Sequence, residues 1–213
     1  MTGPVIVDAA DDPDGVVDQV VEALLAGEVV VLPTDTVYGL VALAADATAT
    51  DRLFDLKGRT ADAPIAVLCA DVHQAMDLVA PAEAGAVRSV GERWWPGPLT
   101  LVLPRRPGVD LHLGEPETTV GVRVPDDPLV RAVAARVGPI AATSANRHGE
   151  PTAVTAAEAA LAVGQGVALV VDGGALAGSA STVIDATRTR WRVLREGPLP
   201  ADEICRSGEP RLL

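Results

Sequence analysis

Short Val-rich runs alternate along this chain with segments of helical periodicity, and this alternation constrains the fold more than any other feature. Residues 14–26 carry an apolar stripe at helical spacing, and Gly27 is placed to end that helix. The run Val30–Leu32 that follows has the composition of a buried strand. Because the same succession recurs along the chain, the sequence predicts an α/β fold with helices packed on a mixed or parallel sheet.

Turn and capping residues place the other elements. We expect one domain over residues 1–200 and a loosely held tail over 201–213. The other predicted elements are, in chain order, an apolar run over 37–44, a helix over 48–57 capped by Thr48 or Thr50 and ended by Gly58, a strand over 64–70, helices beginning at Asp71 and Pro81, the strands "PLTLVLP", "TTVGVRVP" and "GPIAAT", a helix over 127–137, a helix opened by Thr155 and Glu158, and the strands "VALVVD", "STVIDA" and "WRVLRE".

The composition argues against several classes of function. The 213 residues have a net charge of -12 and 2% aromatic side chains, so the chain has little with which to hold a phosphate backbone or stack bases. Its two cysteines and three histidines lie apart, without the spacing of a disulfide framework or a metal site, and no metal ligand is predicted. We find no apolar run of membrane-spanning length and no cleavable hydrophobic start, so we expect a cytoplasmic protein.

A cluster of small polar side chains follows the strand Val30–Leu32. After a proline come Thr34, Asp35 and Thr36, and then Tyr38, the only tyrosine of the chain. In open α/β sheets, the loops at strand ends are where ligands are held. We therefore expect this turn to form part of a ligand site.

Two cations, Lys57 and Arg59, flank Gly58 at the predicted end of a helix. A lysine in the last helical turn before a glycine is ordinary C-terminal capping, and this interpretation stays open. The alternative is that Gly58 breaks the helix so that both cations face one pocket, where they would bind a polyphosphate.

A second polar cluster, Thr143, Ser144 and Asn146, follows the predicted strand "GPIAAT". It is typical either of a turn leaving the sheet or of a group that orients a compact polar ligand. Arg123 and Arg195 stand in apolar runs, where a guanidinium either faces solvent or binds a carboxylate or phosphate. The chain contains no GxSxG elbow, Walker A loop or GxGxxG after a strand, so a covalent protein nucleophile is not indicated.

Taken together, these stretches resemble the YrdC-like family, and within it the single-domain threonylcarbamoyl-AMP synthases. The segments "LPTDTVYGL", "KGR", "WPGPLTLVL", "VGVRVP", "TSAN" and "STVID" occur in the family's order. The paired family signature Lys-x-Arg and Ser-x-Asn is met by Lys57, Arg59, Ser144 and Asn146. The resemblance extends over about residues 10 to 200 and implies a twisted, open, mixed α/β sheet with flanking helices around a large, positively charged cavity.

The resemblance also implies an activity. A member of this family joins L-threonine, bicarbonate and ATP, with Mg²⁺, into threonylcarbamoyl-AMP and releases pyrophosphate. Other proteins then transfer the threonylcarbamoyl group to the adenosine beside the anticodon of certain tRNAs, and we expect no stable tRNA binding by this chain.

The resemblance further implies roles for individual residues. The residues implied to contact threonine are Thr36, Arg123, Ser144 and Ser181. Those implied to contact ATP or shape its pocket are Lys57, Arg59, Thr119, Asn146, Thr152 and Arg195. Of these, Lys57 and Arg59 are the ones expected to act in catalysis, by neutralising charge on the triphosphate.

Two other functions are compatible with the sequence. One is a module that binds double-stranded RNA and assists ribosome maturation. The other is a related protein that binds a nucleotide without turnover. The full Lys-x-Arg and Ser-x-Asn set favours the synthase.

Overall fold

The computed structural model describes residues 4–58, 64–147, 149–176 and 178–208. The strands are β1 (Val5–Asp8), β2 (Val30–Leu32), β3 (Gly39–Leu43), β4 (Ala66–Leu68), β5 (Leu99–Pro104), β6 (Thr119–Arg123), β7 (Ile140–Ser144), β8 (Leu169–Asp172), β9 (Thr182–Asp185) and β10 (Arg192–Arg195). The α-helices are α1 (Pro13–Leu25), α2 (Ala47–Lys57), α3 (Val72–Leu78), α4 (Ala84–Trp94), α5 (Pro128–Val137), α6 (Ala156–Val163) and α7 (Ala201–Gly208).

The strands form one open, mixed sheet, as predicted. Their order is β1-β8-β2-β3-β7-β4-β6-β5-β9-β10. The pairs β1·β8, β2·β8, β4·β6 and β5·β9 are parallel, and the others are antiparallel. The central strands β3, β7, β4 and β6 come from distant parts of the sequence, so the sheet brings the polar segments that follow β2 and β7 together.

Side-chain caps explain where several helices begin. Asp46 caps α2 by accepting a hydrogen bond from the Ala49 amide at 3.0 Å, so the prediction that Thr48 or Thr50 caps this helix is wrong. Asp has a short carboxylate that accepts well from the first helical turn, and it precedes both threonines. The prediction that Gly58 ends α2 is confirmed, because this glycine has the left-handed backbone conformation at φ 61°.

Successive residues of the strands face opposite sides of the sheet. On one side, α2, α3, α4, α6 and α7 cover the larger of two apolar cores, which includes Val31, Leu40 and Val67. On the other side, α1 and α5 cover a smaller core that includes Val30 and Val41. The smaller core covers only part of its side of the sheet, and the rest is open to a cavity.

The C-terminal segment differs from the expected loose tail. Residues 201–208 form α7, in which Ala201 and Ile204 are buried in the larger core. Arg93 of α4 and Glu203 also form an ion pair at the surface. For residues 201–208 a docked helix therefore replaces the expected loose segment, because two apolar residues three positions apart lie on one face of it, and residues 209–213 of the predicted tail lie outside the described residues. Within the described part of the chain, no helix is both long and apolar enough to cross a membrane.

Candidate active site

A cavity of about 430 Å³ lies beside the smaller core, over the strands from β3 to β9. This volume lies within the range of small-molecule sites. Leu68 belongs both to the smaller core and to the cavity lining, which places the cavity on the same side of the sheet as α1 and α5. The polar and charged lining residues are Thr34, Thr36, Lys57, Thr100, Thr119, Arg123, Thr143, Ser144, Asn146, Ser181 and Arg195.

Lys57 enters the cavity from the end of α2. Its side-chain Nζ donates hydrogen bonds to the Ser144 carbonyl oxygen at 2.7 Å, to Ser144 Oγ at 2.9 Å and to Asn146 Oδ1 at 2.5 Å. The residue is 5% exposed, so its charge is held by these oxygens rather than by water. The alternative in which Lys57 merely caps its helix does not fit this geometry, because the ammonium group reaches residues 87 and 89 positions away.

Asn146 is itself fixed from the opposite side. Its side-chain amide donates to the Glu150 carbonyl oxygen at 2.5 Å, which leaves Oδ1 directed to Lys57. The Ser-x-Asn segment is therefore a cradle for the ammonium group of Lys57. The second cation of the signature, Arg59, lies outside the described residues.

Arg123 occupies the end of β6, where it is 6% exposed. Its guanidinium donates to the Gly97 carbonyl oxygen at 3.2 Å, to Thr36 Oγ1 at 3.0 Å and to Asp35 Oδ1 at 2.5 Å. Burial lowers the pKa of Arg123, and the adjacent Asp35 carboxylate opposes this effect. A guanidinium carries five N–H donors, so within the described part of the chain one N–H on each η nitrogen remains for a ligand.

The turn after β2 orients its own hydroxyl groups. Thr34 Oγ1 accepts from the amides of Thr36 and Val37 at 3.1 and 3.2 Å and donates to the Val37 carbonyl oxygen at 2.7 Å. Its oxygen also lies 2.9 Å from Thr36 Oγ1. This compact turn places Thr36 against Arg123, so the two residues act on the same part of the cavity.

A third group lies where β5 and β9 meet. Arg195 donates from Nε to the Ser181 carbonyl oxygen and from Nη2 to Ser181 Oγ, both at 2.9 Å. Ser181 Oγ is also 2.9 Å from Thr100 Oγ1. The two hydroxyls carry two protons, and the contact between them uses one. Among the described residues no acceptor takes the other, so it is available to a ligand.

The structure brings together the predicted site residues that it describes, with one exception. Those that line the cavity are Thr36, Lys57, Thr119, Arg123, Ser144, Asn146, Ser181 and Arg195. Thr152 is not among the lining residues, and its hydroxyl donates to the Gly178 carbonyl oxygen at 3.4 Å.

Sequence reasoning missed two residues that contribute to this site. Thr100 lines the cavity, yet in "PLTLVLP" its hydroxyl looks like an ordinary β-strand position. Asp35 was noticed only as part of a polar turn, although its carboxylate is the partner of Arg123. The available signal for Thr100 was the alternation of β5, which puts Thr100 on the side opposite Leu99 and Leu101.

The cavity is electropositive although the chain is acidic. The charged residues among its described lining are Lys57, Arg123 and Arg195, and no carboxylate stands with them there. Asp35 neutralises part of this charge from behind Arg123. Although the chain has a net charge of -12, three of its described cations therefore line one cavity, which suits a ligand with several negative charges.

Comparison with known proteins identifies relatives along most of the chain. The family model of the Sua5, YciO and YrdC proteins, described as "Telomere recombination", matches residues 22–197. A Mycobacterium tuberculosis protein provisionally named threonylcarbamoyl-AMP synthase is 40% identical over 87% of this chain and 85% of its own length. The threonylcarbamoyl-AMP synthase of Bacillus subtilis is 37% identical over 93% of this chain and 58% of its own length.

The solved structures give the same relationship. Pyrococcus abyssi Sua5 in complex with L-threonine superposes with a TM-score of 0.86 at 35% identity, over 97% of this chain and 61% of that one. The chain thus spans about three-fifths of the length of the archaeal protein. Escherichia coli YciO superposes with a TM-score of 0.81 at 26% identity, over 93% of this chain and 97% of that one. The chain belongs to the Sua5/YciO/YrdC family.

Proposed function

We propose that this chain is a threonylcarbamoyl-AMP synthase, which forms L-threonylcarbamoyladenylate and pyrophosphate from L-threonine, bicarbonate and ATP. One observation carries the proposal: the cradle in which Ser144 and Asn146 hold the ammonium group of Lys57 at the wall of an electropositive cavity. Relatives named for this activity are 37–40% identical to the chain over the aligned residues.

The reaction that we propose needs no protein nucleophile. The threonine amine and bicarbonate condense to a carbamate with loss of water. A carbamate oxygen then attacks the α-phosphorus of ATP, the bond from that phosphorus to the bridging oxygen breaks, and pyrophosphate leaves. Catalysis then consists of holding the reactants in line and offsetting the charge on the triphosphate.

We propose that Lys57 and Arg195 offset that charge. Both reach the cavity from secondary structure and are fixed by hydrogen bonds to Ser144, Asn146 and Ser181, so they are ordered before a ligand arrives. We propose the same task for Arg59. Thr119 and Asn146 would shape the nucleotide pocket, whereas Thr152 would act on it only through the Gly178 carbonyl oxygen.

Threonine is proposed to bind against Arg123 and Thr36, with Ser144 and Ser181 completing its contacts. The two remaining N–H groups on the η nitrogens of Arg123 match the two oxygens of a carboxylate. The related Pyrococcus abyssi Sua5 has been solved with L-threonine, which supports an amino-acid site in this fold.

Mg²⁺ is proposed to enter with ATP. The described residues include no group of three or more His, Cys, Asp or Glu side chains that could hold an ion, and the described lining lacks a carboxylate. The hydroxyl, amide and cationic groups of this lining fit an ion that is held by triphosphate oxygens and water, which is how Mg²⁺ commonly binds with nucleotides. When bound, it would supply further positive charge at the phosphates.

We also propose that the adenylate is made without tRNA and passes to separate transfer proteins. The described cations at the site line a cavity of about 430 Å³, which is too small for a duplex. We expect the chain to bind tRNA no more tightly than non-specific levels, about 10⁻⁴–10⁻⁶ M at physiological salt. Titration of labelled tRNA with and without ATP and threonine tests this, and sub-micromolar binding that survives added salt would contradict it.

The proposed function is tested by incubating the purified protein with Mg²⁺, ATP, threonine and bicarbonate. We expect equal amounts of pyrophosphate and of an adenylate with the mass of threonylcarbamoyl-AMP. Release of ADP and phosphate, or binding of ATP without turnover, would overturn the assignment.

A further inference from the structure

Tyr38 lies where three segments around the cavity meet. Its side chain is completely buried in the larger core. Its backbone carbonyl oxygen accepts a hydrogen bond from the Ala145 amide at 2.7 Å, between Ser144 and Asn146. One residue thus joins the turn after β2 to the cradle of Lys57.

The Tyr38 hydroxyl reaches a third segment. It lies 2.7 Å from the Gly174 carbonyl oxygen and 3.3 Å from Asp172 Oδ1, and it accepts from the Gly173 amide at 3.2 Å. A hydroxyl has one proton, so the shorter contact, to Gly174, is the bond that it donates. Burial raises the pKa of Tyr38, which keeps that proton in place.

The residues that Tyr38 holds have little room to move elsewhere. A Cβ atom on Gly173 would lie 2.7 Å from Pro33 Cβ, so the backbone packs directly against the turn. Gly174 adopts a φ of 79°, a conformation that other residues rarely take. Asp172 Oδ1 accepts from the Gly174 amide at 2.8 Å and so fixes the peptide group between the two that Tyr38 contacts.

Further hydrogen bonds tie the segment that follows to residues 152–154. The Leu176 amide donates to the Val154 carbonyl oxygen at 2.9 Å. Thr152 donates to the Gly178 carbonyl oxygen, and Ala180 and Ser181 line the cavity a few residues later. Along the sequence, the segment that Tyr38 contacts precedes Ser181, the serine that Arg195 holds.

We propose that Tyr38 is a positioning residue, which sets the mutual placement of the β2 turn, the Ser144–Asn146 cradle and the segment leading to Ser181. Tyr38 is not among the residues that line the cavity, so it acts through them rather than on the substrates. The kinetic consequence rests on the proposed function. A loosened wall must be ordered again on binding, which raises KM and leaves kcat nearly unchanged.

The test compares Tyr38→Phe with the wild-type protein by hydrogen exchange and by kinetics. The variant keeps the buried ring and removes only the hydroxyl. We expect exchange of the amides of Gly173 and Gly174 to accelerate at least tenfold, with α1 unchanged. We also expect KM for threonine and ATP to rise about fivefold to tenfold, with kcat within twofold of the wild-type value.

Thr50→Val is the matched control. It removes another buried hydroxyl, which bonds to the carbonyl oxygens of Asp46 and Ala47 in α2, away from Tyr38. A general loss of stability would change Tm in both variants, whereas only Tyr38→Phe should alter exchange at Gly173 and KM. If Tyr38→Phe does not fold, Asp172→Ala, which releases the Gly174 amide from the same network, should show the same pair of effects.

The outcomes separate this inference from the proposed function. Unchanged exchange at Gly173 and Gly174 in Tyr38→Phe would overturn the positioning role, whatever the enzyme does. A wild-type protein without turnover would overturn the proposed function and leave the exchange experiment to decide the role of Tyr38. A loss confined to kcat, with KM unchanged, would also contradict positioning and indicate direct participation in the reaction.

Discussion

Strands β5, β6 and β9 present different chemistry on their two sides. Toward the larger core they carry large apolar side chains, namely Leu99, Leu101, Leu103, Val122 and Ile184, with Val120 belonging to this core and also bordering the cavity. Toward the cavity they carry mostly small, polar or charged ones, namely Thr100, Val102, Thr119, Gly121, Arg123 and Val183. The same strands therefore build the larger core on one side and line the cavity on the other, because successive side chains face opposite sides of the sheet.

A second comparison runs along one side of the sheet. Where α1 and α5 cover it, Val41 and Ile140 pack into the smaller core. Gly39 lies two residues from Val41 on β3, and Ser144 lies four residues from Ile140 on β7. These two residues line the cavity and pair with each other across the two strands. The strands are regular in both parts of this side of the sheet. The cavity therefore forms where the side chains are small and where α1 and α5 do not cover the sheet, rather than through a special strand geometry.

The largest expected effect concerns the cavity side. Lys57→Ala should lower kcat by about 10²-fold or more, because it removes a fixed positive charge at the proposed triphosphate site. Arg52→Ala is the matched control, since Arg52 is on the same helix but forms an exposed ion pair with Glu28. Steady-state kinetics should show the loss in the first variant alone. Equal rates in wild type and Lys57→Ala would mean that the cradle is only structural.

Neighbouring residues of β5 provide the sharpest test of its two sides. Leu101→Ala should destabilise the fold by about 2–5 kcal/mol, because it leaves a hole in the larger core, and should change KM little in the protein that remains folded. Thr100→Val keeps the side-chain volume but removes the hydroxyl that contacts Ser181, so KM should rise about tenfold. Urea unfolding and kinetics on both variants make the comparison. The reverse pattern would show that the two sides have been misassigned.

A smaller effect is expected in the choice of amino acid. Threonine and serine differ by one methyl group, and a pocket that encloses this group discriminates between the two by about 1–3 kcal/mol. We expect kcat/KM for serine to be at least about fivefold lower than for threonine. Competition between the two amino acids in one reaction measures this ratio directly, and equal use would place the side chain of the substrate in solvent rather than against the lining.

The smallest effects concern two buried or half-buried carboxylates. Burial alone would raise the pKa of Asp185, but hydrogen bonds from Thr187 and Arg192 outweigh it, so the pKa lies below its usual value of 3.8. Asp185 therefore stabilises the fold above pH 3.8, and this contribution is lost as the pH falls through its folded-state pKa. Asp185→Asn should lower the free energy of unfolding at pH 7, with a smaller difference near pH 3.

Asp127, the N-cap of α5, should behave in the opposite way. Burial raises its pKa, and the charge of Asp35 adds to the effect. Its contribution to stability is present below 3.8 and is lost as the pH rises through its folded-state pKa. Because Asn caps helices as well as Asp does, Asp127→Asn should raise the free energy of unfolding at pH 7. Urea unfolding between pH 3 and pH 7 distinguishes the two variants, and shifts of the same sign would contradict the account.

The sequence predicts local features of this molecule better than distant contacts. Gly58 ends α2 because glycine adopts the required left-handed conformation at little cost. The short segment "DLKGRT" is therefore enough to predict where this helix ends. The contact of Lys57 with Ser144 joins residues 87 positions apart, so residue patterns did not predict it, and the resemblance to a family implied only that both residues belong to one pocket. Thr100 was missed because which side of a strand faces a cavity depends on how the helices are arranged.

The most direct test of the central claim is incorporation of [¹⁴C]bicarbonate by the wild-type protein in the absence of tRNA. The cavity side is proposed to join three reactants, so labelled adenylate and pyrophosphate should form in a ratio of one to one, and omission of threonine or of bicarbonate should abolish both. Pyrophosphate release that continues without threonine, or label that enters product only when tRNA is added, would contradict the account.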